Sequence, residues 1–567
     1  MAQTLAPRRL LHQGVSVSPT VRHISLASLR RIDRGTSALV QILCAVVAAT
    51  GCRQAPSPPR DDTPVLPADL AQRLAFSDGT ENAGLGAAPA QGRLEGFPRM
   101  LGGIAAADID DDLDIDLLLL YPGLRGMALF ENLGGGLFEE VTTLKVDAPQ
   151  LIHAAGGLWL DDDGDGDLDL LITAHDLKGA HYFRQMEGHW HMEPAAGLDA
   201  VRYAVSPTAA DINRDGWLDL FVTHWDLALA HFLAEDTEEE LLFLLHGGAD
   251  GFQPPPTAMG LDEETLPFSF AGHFIDIDED DLPELLLASD FGESRILKNE
   301  GGVHFSRMEA PLSDEHGMGA VVFDFDNDGD QDWFVTSIAT PAELAELPEA
   351  ENYTGNRLYR NEGAGRFIDV TETSFLRDGG WGWGACAADF DNDGWQDLFH
   401  TNGFEPYDIS ASLFRKDPAR LFLNLGDGRF VDVASPVGLL DDDQGRGIAC
   451  FDYDDDGDVD IIIMNYRSAP RLWRNDSPSA NHFLQLSLRG PPPNTRAVGA
   501  TVDIDVGSAT QSRVVTAGNT YIGQQPYRLH FGLGAEERVD EIRVRWPDGV
   551  VTVERDVAAD QHLVLRR

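Results

Sequence analysis

Cysteine is scarce in this chain of 567 residues: only Cys44, Cys52, Cys386 and Cys450 occur. Four cysteines do not make a disulfide framework, and no redox chemistry follows from them. Cys386 and Cys450 stand three and two residues before two acidic motifs. Strand alternation then points them to opposite faces, so two buried free thiols are expected. Basic side chains are also short: 42 Lys and Arg face 94 Asp and Glu, for a net charge of −52. Repulsion excludes DNA, RNA and anionic membrane surfaces as direct partners. The apolar stretch near the N-terminus, Ala38 to Thr50, is broken only by Gln41. At roughly 13 residues it is too short to span a bilayer and suits the apolar region of a signal peptide. What the chain does have is 43% apolar residues, 57 glycines and 31 prolines. That content builds large cores and rules out a disordered acidic tail.

The carboxylates are not spread evenly. Asp108, Asp110, Asp112 and Asp116 occupy positions 1, 3, 5 and 9 of a nine-residue frame. The frame recurs as Asp161/Asp163/Asp165/Asp169, Asp211/Asn213/Asp215/Asp219 and Asp276/Asp278/Asp280/Glu284. Three further copies are Asp324/Asp326/Asp328/Asp332, Asp389/Asp391/Asp393/Asp397 and Asp452/Asp454/Asp456/Asp460. Alternate side chains of a tightly curled loop point inward together, and calcium takes six to eight oxygens at about 2.3–2.6 Å. All four positions of every copy are therefore expected as metal ligands, with up to seven structural Ca²⁺ ions as cofactors. Position 6 is Gly166, Gly216, Gly329, Gly394 or Gly457, which allows the positive φ that the curl needs. Leu113 and Asp281 replace glycine in copies one and four, so those two sites are expected to be the weakest.

An EF-hand would need a bidentate Glu at position 12, where this chain has Leu119, Ile172, Val222, Leu287, Val335, His400 and Ile463. Runs such as Ile461-Ile462-Ile463 after the loops, and Val321-Val322-Phe323 before them, read as buried strands. A third strand, a glycine turn and a fourth strand follow, as in Leu358 to Phe367 and Leu421 to Phe430. Four strands recurring once per repeat make a β-propeller blade, and seven loops imply seven blades. Phe76-Ser77-Asp78 through Gly84-Leu85 matches Phe430-Val431-Asp432 through Gly438-Leu439 in spacing. The last repeat lacks such a segment after Asn475, so residues 76–78 are expected to supply its outer strand and to remove an open edge.

Ala49-Thr50-Gly51-Cys52 resembles a bacterial lipoprotein cleavage site, with Ala49 where that motif prefers leucine. The resemblance implies lipidation at Cys52; the alternative is an ordinary signal peptide cut near Gly51. Either way the mature chain is expected to be exported, to a bacterial cell envelope or beyond. The repeats resemble the FG-GAP/VCBS repeats of integrin-α-like propellers. Val498-Gly499-Ala500, Arg528 to Gly534 (RLHFGLG) and Val544 to Gly549 (VRWPDG) resemble the ASPIC/UnbV domain of the cartilage acidic protein family. The resulting expectation is an all-β chain. Residues 1–51 form a lipoprotein-type signal peptide, 52–73 a Pro-rich tether, 74–478 a seven-bladed propeller with integrin-α-like calcium loops, and 479–567 a small β-sandwich-like domain. That domain is expected to dock on the last blade, with Phe531 and Trp546 as core anchors.

Loops that join strand one to strand two crowd one face of a propeller, so a ligand is expected on the opposite face. The residues eight before each motif include His153, His316 and Trp381; those thirteen after include His224 and Asn402. Insertions near 226–243, 338–356 and 403–418 rise on the same face, and loops on a rigid scaffold carry binding. The competing reading is that these side chains plug the channel and cap blades. The functional expectation is a cell-surface binding or adhesion module for a protein or glycan. An enzyme acting on polysaccharide is the alternative. No Gly-rich phosphate loop, G-x-S-x-G or H-E-x-x-H occurs, and no catalytic residue is assigned.

Overall fold

The computed structural model describes residues 64–86, 97–123, 125–141, 151, 153–176, 178–193, 198, 201–225, 244–249, 251–255, 259–261, 268–340, 353–405 and 414–567. The expected signal peptide, Cys52, the start of the tether, the whole of 226–243 and the middles of the other two insertions lie outside them. No helix among the described residues is long and apolar enough to cross a membrane.

The chain is all-β. Each acidic loop joins the first two, antiparallel strands of one sheet, and there are seven such sheets among the described residues. Repeat six is representative: Gly382–Ala388, Asp397–Asn402, Arg420–Asn424 and Phe430–Asp432 pair in order. Its second strand, DLFHTN, is buried along its whole length although only Leu398 and Phe399 are apolar. The first strands are rich in glycine and alanine because they run against one another. A Cβ on Gly319 would lie 2.0 Å from the Trp383 carbonyl oxygen, and one on Gly384 2.4 Å from that of Arg446. These first strands adjoin in chain order, and that of repeat seven (Gly445–Phe451) adjoins that of repeat one (Ile104–Ala107). Phe76–Asp78 pairs with Arg471–Asn475 in the register Phe76↔Asn475, the counterpart of Asn424↔Phe430 one repeat earlier.

A side chain that the sequence reading left unassigned ties neighbouring sheets together. Buried asparagines on the third strands donate through Nδ2 to the carbonyl of loop position 2 in the preceding repeat. Asn299 bonds Ile212, Asn361 bonds Ile277, Asn424 bonds Phe325 and Asn475 bonds Phe390, all at 2.8–3.0 Å. Asn132 of repeat one reaches the Tyr453 carbonyl of repeat seven at 2.9 Å.

Cys386 and Cys450 form a disulfide, which corrects the expectation of free thiols. Alternation sets the face of each cysteine within its own strand but says nothing about the next sheet. The two cysteines sit on the first strands of adjacent sheets, so side chains on opposite faces of successive sheets meet in the space they share. The bridge spans 64 residues, a loop whose closure contributes about 4 kcal/mol in the chain-entropy account.

The C-terminal domain holds two sheets, one of His482–Arg489, Leu529–Gly534 and Gln561–Arg566, the other of Thr501–Val506, Ala509–Val514, Arg538–Arg545 and Val551–Ala558. Phe531 and Trp546 are buried between them, as core anchors should be. The domain is not confined to the last repeat. It lies across the acidic loops and sends residues 517–525 into the midst of the first strands. There Tyr521 and Ile522 are fully buried beside Phe270 and Trp383. The Tyr521 hydroxyl donates to the Met100 carbonyl at 2.6 Å, Thr520 Oγ1 to Ala385 O at 2.8 Å, and the Trp159 amide to Gln524 Oε1 at 2.7 Å. Gly523–Gln524 adds a parallel strand to Ile104–Ala107.

Candidate functional site

The seven loops share one internal hydrogen-bond pattern. Backbone φ is positive at positions 4 and 6 in every copy, including Leu113 at 80° and Asp281 at 66° where glycine is missing. The curl is therefore imposed even on residues that resist it. The position-1 carboxylate accepts the position-6 amide, as Asp389 Oδ2 does from Gly394 N at 2.7 Å. The position-9 carboxylate ties the most chain together. One oxygen takes the position-2 amide and the other takes an amide on or just after strand three, as with Asp397, Phe390 (3.2 Å) and Asn424 (2.7 Å). Every repeat keeps both contacts, so position 9 clamps three strands whatever else it binds.

These carboxylates converge. Asp161/Asp163/Asp169, Asp276/Asp278/Glu284, Asp324/Asp326/Asp332 and Asp389/Asp391/Asp397 each bring three oxygens within 4.8 Å of one another, and Asp108/Asp110/Asp112 do so in copy one. In copies two, four, five and six the converging set is thus positions 1, 3 and 9, without position 5.

Position 5 departs from the expectation that four alternate side chains point inward together. Asp165, Asp215, Asp280, Asp328 and Asp456 are exposed, and Asp393 is half-buried. The positive φ at position 4 breaks simple alternation, and the position-5 carboxylate turns one oxygen back onto the position-7 amide. Trp217 N donates to Asp215 Oδ1 at 3.0 Å, Asp330 N to Asp328 Oδ1 at 2.9 Å and Asp458 N to Asp456 Oδ1 at 3.1 Å. Position 5 therefore caps the loop tip and has one oxygen left for a cation. Copy three departs at position 3 as well. Asn213 is neutral, its Oδ1 accepts the Asp215 amide at 2.9 Å, and its Nδ2 faces His246 Nδ1 at 3.1 Å. The anionic oxygens buried or half-buried in that loop come from Asp211 and Asp219.

Whether a hard cation suits the loops is tested by the atoms left over. Asp278, Asp326, Asp391 and Asp454, all at position 3, keep Oδ1 buried without a hydrogen-bond partner, as does Asp108 at position 1. A buried, unsatisfied carboxylate oxygen is costly unless something neutralises it. Burial accordingly pushes the position-9 carboxyls up, to about 8 for Asp116, Asp219 and Glu284 and about 9 for Asp169. Asp332, Asp397 and Asp460 are held well above the usual carboxylate range for the same reason. An oxygen-only, anionic, partly dehydrated donor set of this kind suits calcium, which would supply the missing positive charge.

Some of that charge is already built in. Lys298 of copy four places Nζ against Asp278, 3.0 Å from Asp280 Oδ2 and 3.9 Å from Glu284 Oε1. Arg184, Arg360 and Arg474 approach position 3 from the same place on strand three of copies two, five and seven. Copy six has Leu423 there, and Arg73 from before the first strand fills the gap, its Nε 2.8 Å from Asp391 Oδ2. Loop spacing gives no signal for these cations, which sit on another strand and reach the carboxylates only through the fold. Lys298→Met is expected to raise calcium affinity at loop four by about tenfold, since it removes a tethered competitor. A calcium isotherm unchanged by that substitution would show that the ammonium does not compete.

The C-terminal domain roofs the loops. Arg489 Nη2 lies 3.2 Å from Asp108 Oδ2 and 2.8 Å from Asp111 Oδ1, and Arg496 Nη1 is 2.8 Å from Asp111 Oδ1. Thr495 bonds Asp161, and Gln485 Nε2 donates to Asp452 Oδ2 at 2.7 Å. A Cβ on Gly532 would stand 2.0 Å from Asp389 Oδ2, so the backbone itself rests on loop six.

The five residues expected on the opposite face divide. They do lie at strand ends away from the loops, as the pairs Ala204↔His224 and Gly382↔Asn402 place them. His224 is fully buried, and burial, with the nearby His175, pulls its pKa to about 3. Asn402 is buried too, and its amide donates to the Gly379 and Pro418 carbonyls at 2.7 Å. Both side chains are shut away from the surface at their strand ends. His153 is half-buried, and its carbonyl accepts the His175 amide. Trp381 is half-buried, stacked on Phe404 at 4.7 Å and against Phe414 at 5.0 Å. His316 Nδ1 is 2.6 Å from Asp290 Oδ1, with Tyr353 and Phe291 beside the ring. Burial opposes protonation of His316, but the bond to Asp290 and its charge outweigh it and raise the pKa.

Comparison with known proteins agrees with this anatomy. The FG-GAP-like repeat model matches residues 161–222, 276–335 and 345–400, and the ASPIC and UnbV model matches 490–567. Mouse cartilage acidic protein 1 is 27% identical over 296 residues, 48% of this chain and 40% of that protein. The human protein of that name is 28% identical over 269 residues, 44% and 35% of the two chains. The match thus spans about two fifths or less of the length of these curated relatives. Among solved structures, an Agrocybe aegerita lectin that recognises non-reducing terminal N-acetylglucosamine aligns with a TM-score of 0.39 at 15% identity, over 64% of this chain and 88% of the lectin. The chain joins FG-GAP-like repeats to a C-terminal ASPIC and UnbV domain and is similar, over about half its length, to cartilage acidic protein 1.

Proposed function

We propose that this chain is an exported, calcium-stabilised, seven-bladed β-propeller that presents a binding face to a protein or glycan. The seven sheets would be its blades, closed by Phe76–Asp78 and by the Asn132–Tyr453 bond. Calcium's part is structural, and lipidation at Cys52 would hold the module at the cell envelope. The observation that carries the reading is the division between the two faces. The C-terminal domain covers the loop side, which leaves the side bearing His316 and Trp381 to a partner. An aromatic ring set with a hydrogen-bonded His–Asp pair suits polar ligands with apolar faces. Asp290 and His316 alone supply no reaction, so the enzyme reading has no observation to favour it.

The experiment is a binding screen of the full chain in calcium against glycans and extracellular proteins, repeated with Trp381→Ala and His316→Ala. Each substitution is expected to weaken a true ligand by about tenfold or more; because both side chains are packed, the melting temperature falls as well, and binding is read well below it. A ligand indifferent to both would place recognition elsewhere and sink this reading.

A further inference from the structure

The turn between the third and fourth strands of repeat two differs from its counterparts. In repeats one, four, five and six, five residues (LGGGL, EGGVH, EGAGR and LGDGR) run from a buried asparagine to a buried phenylalanine. Repeat two has four, Met186-Glu187-Gly188-His189, between the buried Gln185 and Trp190. The hairpin of Ala180–Met186 and His189–Glu193 is correspondingly tight. Glu187 and Gly188 take φ of 54° and 75°, the two-residue turn that matches the twist of the flanking strands.

Register fixes what shares a face. Met186 lies opposite His189 and Arg184 opposite His191, and opposed residues of an antiparallel pair point the same way. His189 and His191 are two apart on one strand, so they share that face too. Met186, His189 and His191 therefore stand together on one side of the tip, with Trp190 and Met192 on the other. All three are exposed. Among the described residues the exposed histidines are His189, His191 and His304, and the exposed methionines are Met186 and Met192. Four of these five fall within residues 186–192, a concentration that neither packing nor the repeat pattern requires. The guanidinium of Arg184, beside His191, is paired with Asp162, Asp163 and Glu193, so its charge is balanced locally.

We propose that this hairpin tip binds one copper ion as Cu(I), held by an imidazole nitrogen from each of His189 and His191 and by the Met186 thioether. Opposed residues place their Cβ atoms about 4.5–5.5 Å apart, close enough for two long side chains to meet at one ion. Imidazole suits copper, and a thioether selects its soft cuprous form. The acidic loops do not compete, because their oxygen donors suit a hard cation. The site stands on the outer strands of repeat two and is independent of the binding face proposed above.

The test is titration of the full chain with Cu(I), kept reduced by ascorbate at saturating calcium, against a chromophoric cuprous chelator. Cys44→Ser and Cys52→Ser are present in every protein, so that with Cys386 and Cys450 bridged no free thiol competes. One equivalent of copper is expected in this parent. His189→Ala with His191→Ala should remove it, and Met186→Leu should weaken it by about tenfold or more. Met192→Leu, on the far face, should leave it unchanged. The substituted positions are exposed, so all variants should melt together in calcium, which separates a lost ligand from a lost fold. No copper held against the chelator, an isotherm unchanged by the double histidine substitution, or Met186→Leu binding as tightly as the parent would each overturn the proposal.

Discussion

Stripped of divalent cations, the protein is expected to melt roughly 20 °C lower at pH 8 than it does in saturating calcium, and this gap is expected to shrink as pH falls toward 5. The sign follows from the buried carboxyls. In the folded, metal-free chain, groups such as Asp116 and Glu284 hold their protons up to about 8, whereas in the unfolded chain they lose them near 4. Between those values the folded state binds more protons, so stability falls as pH rises through the window. Below it the protons neutralise the loops; above it a cation must. A site filled at a hundred times its dissociation constant contributes about 2.7 kcal/mol, and several sites act together. Calorimetry across pH in chelator and in calcium reads this directly. Equal melting temperatures at pH 8 with and without calcium would mean that Lys298, Arg73 and their counterparts suffice.

The second large effect concerns residues 517–525. Replacing them with a Gly-Ser linker is expected to cost roughly 5–10 kcal/mol and to lower the melting temperature by about 10 °C or more. The segment fully buries Tyr521 and Ile522, each worth about 1.5–3 kcal/mol. It also makes hydrogen bonds to the strands of repeats one, two, three, six and seven, each worth about 0.5–1.5 kcal/mol. A milder variant, Tyr521→Phe, removes only the bond to Met100 and should cost about 1 kcal/mol. If the linker variant unfolds at the temperature of the parent, the repeats stand without this insertion and the C-terminal domain is an appendage.

Much of the repeat body was legible because its signals are local. The loop frame, the glycine at position 6 and the apolar runs beside it concern residues within a dozen positions of one another. The terminal strand could be read too, since Phe76 to Leu85 repeats the spacing of Phe430 to Leu439. Even within a loop, spacing names the carboxylates without ranking them: Asp328 and Asp332 look alike in sequence, yet one caps an exposed tip and the other is buried against three strands. Most of what escaped depends on neighbouring sheets. Cys386 meets Cys450 only because two first strands run side by side, and the third-strand asparagines act on the repeat before their own. The position of the C-terminal domain had no local signal.

The pairing of Phe76–Asp78 with Arg471–Asn475 has a consequence for the timing of synthesis. At about 5–20 residues per second, the partner of the first strand leaves the ribosome roughly 20–80 s after it. The segment that fills the centre of the repeats comes later still. No stage of translation short of the last hundred residues offers a complete native body, so the chain spends most of its elongation without its final clasp. If the chain is exported as proposed, it would cross the membrane before this pairing forms, and Cys386 and Cys450 would meet only afterwards.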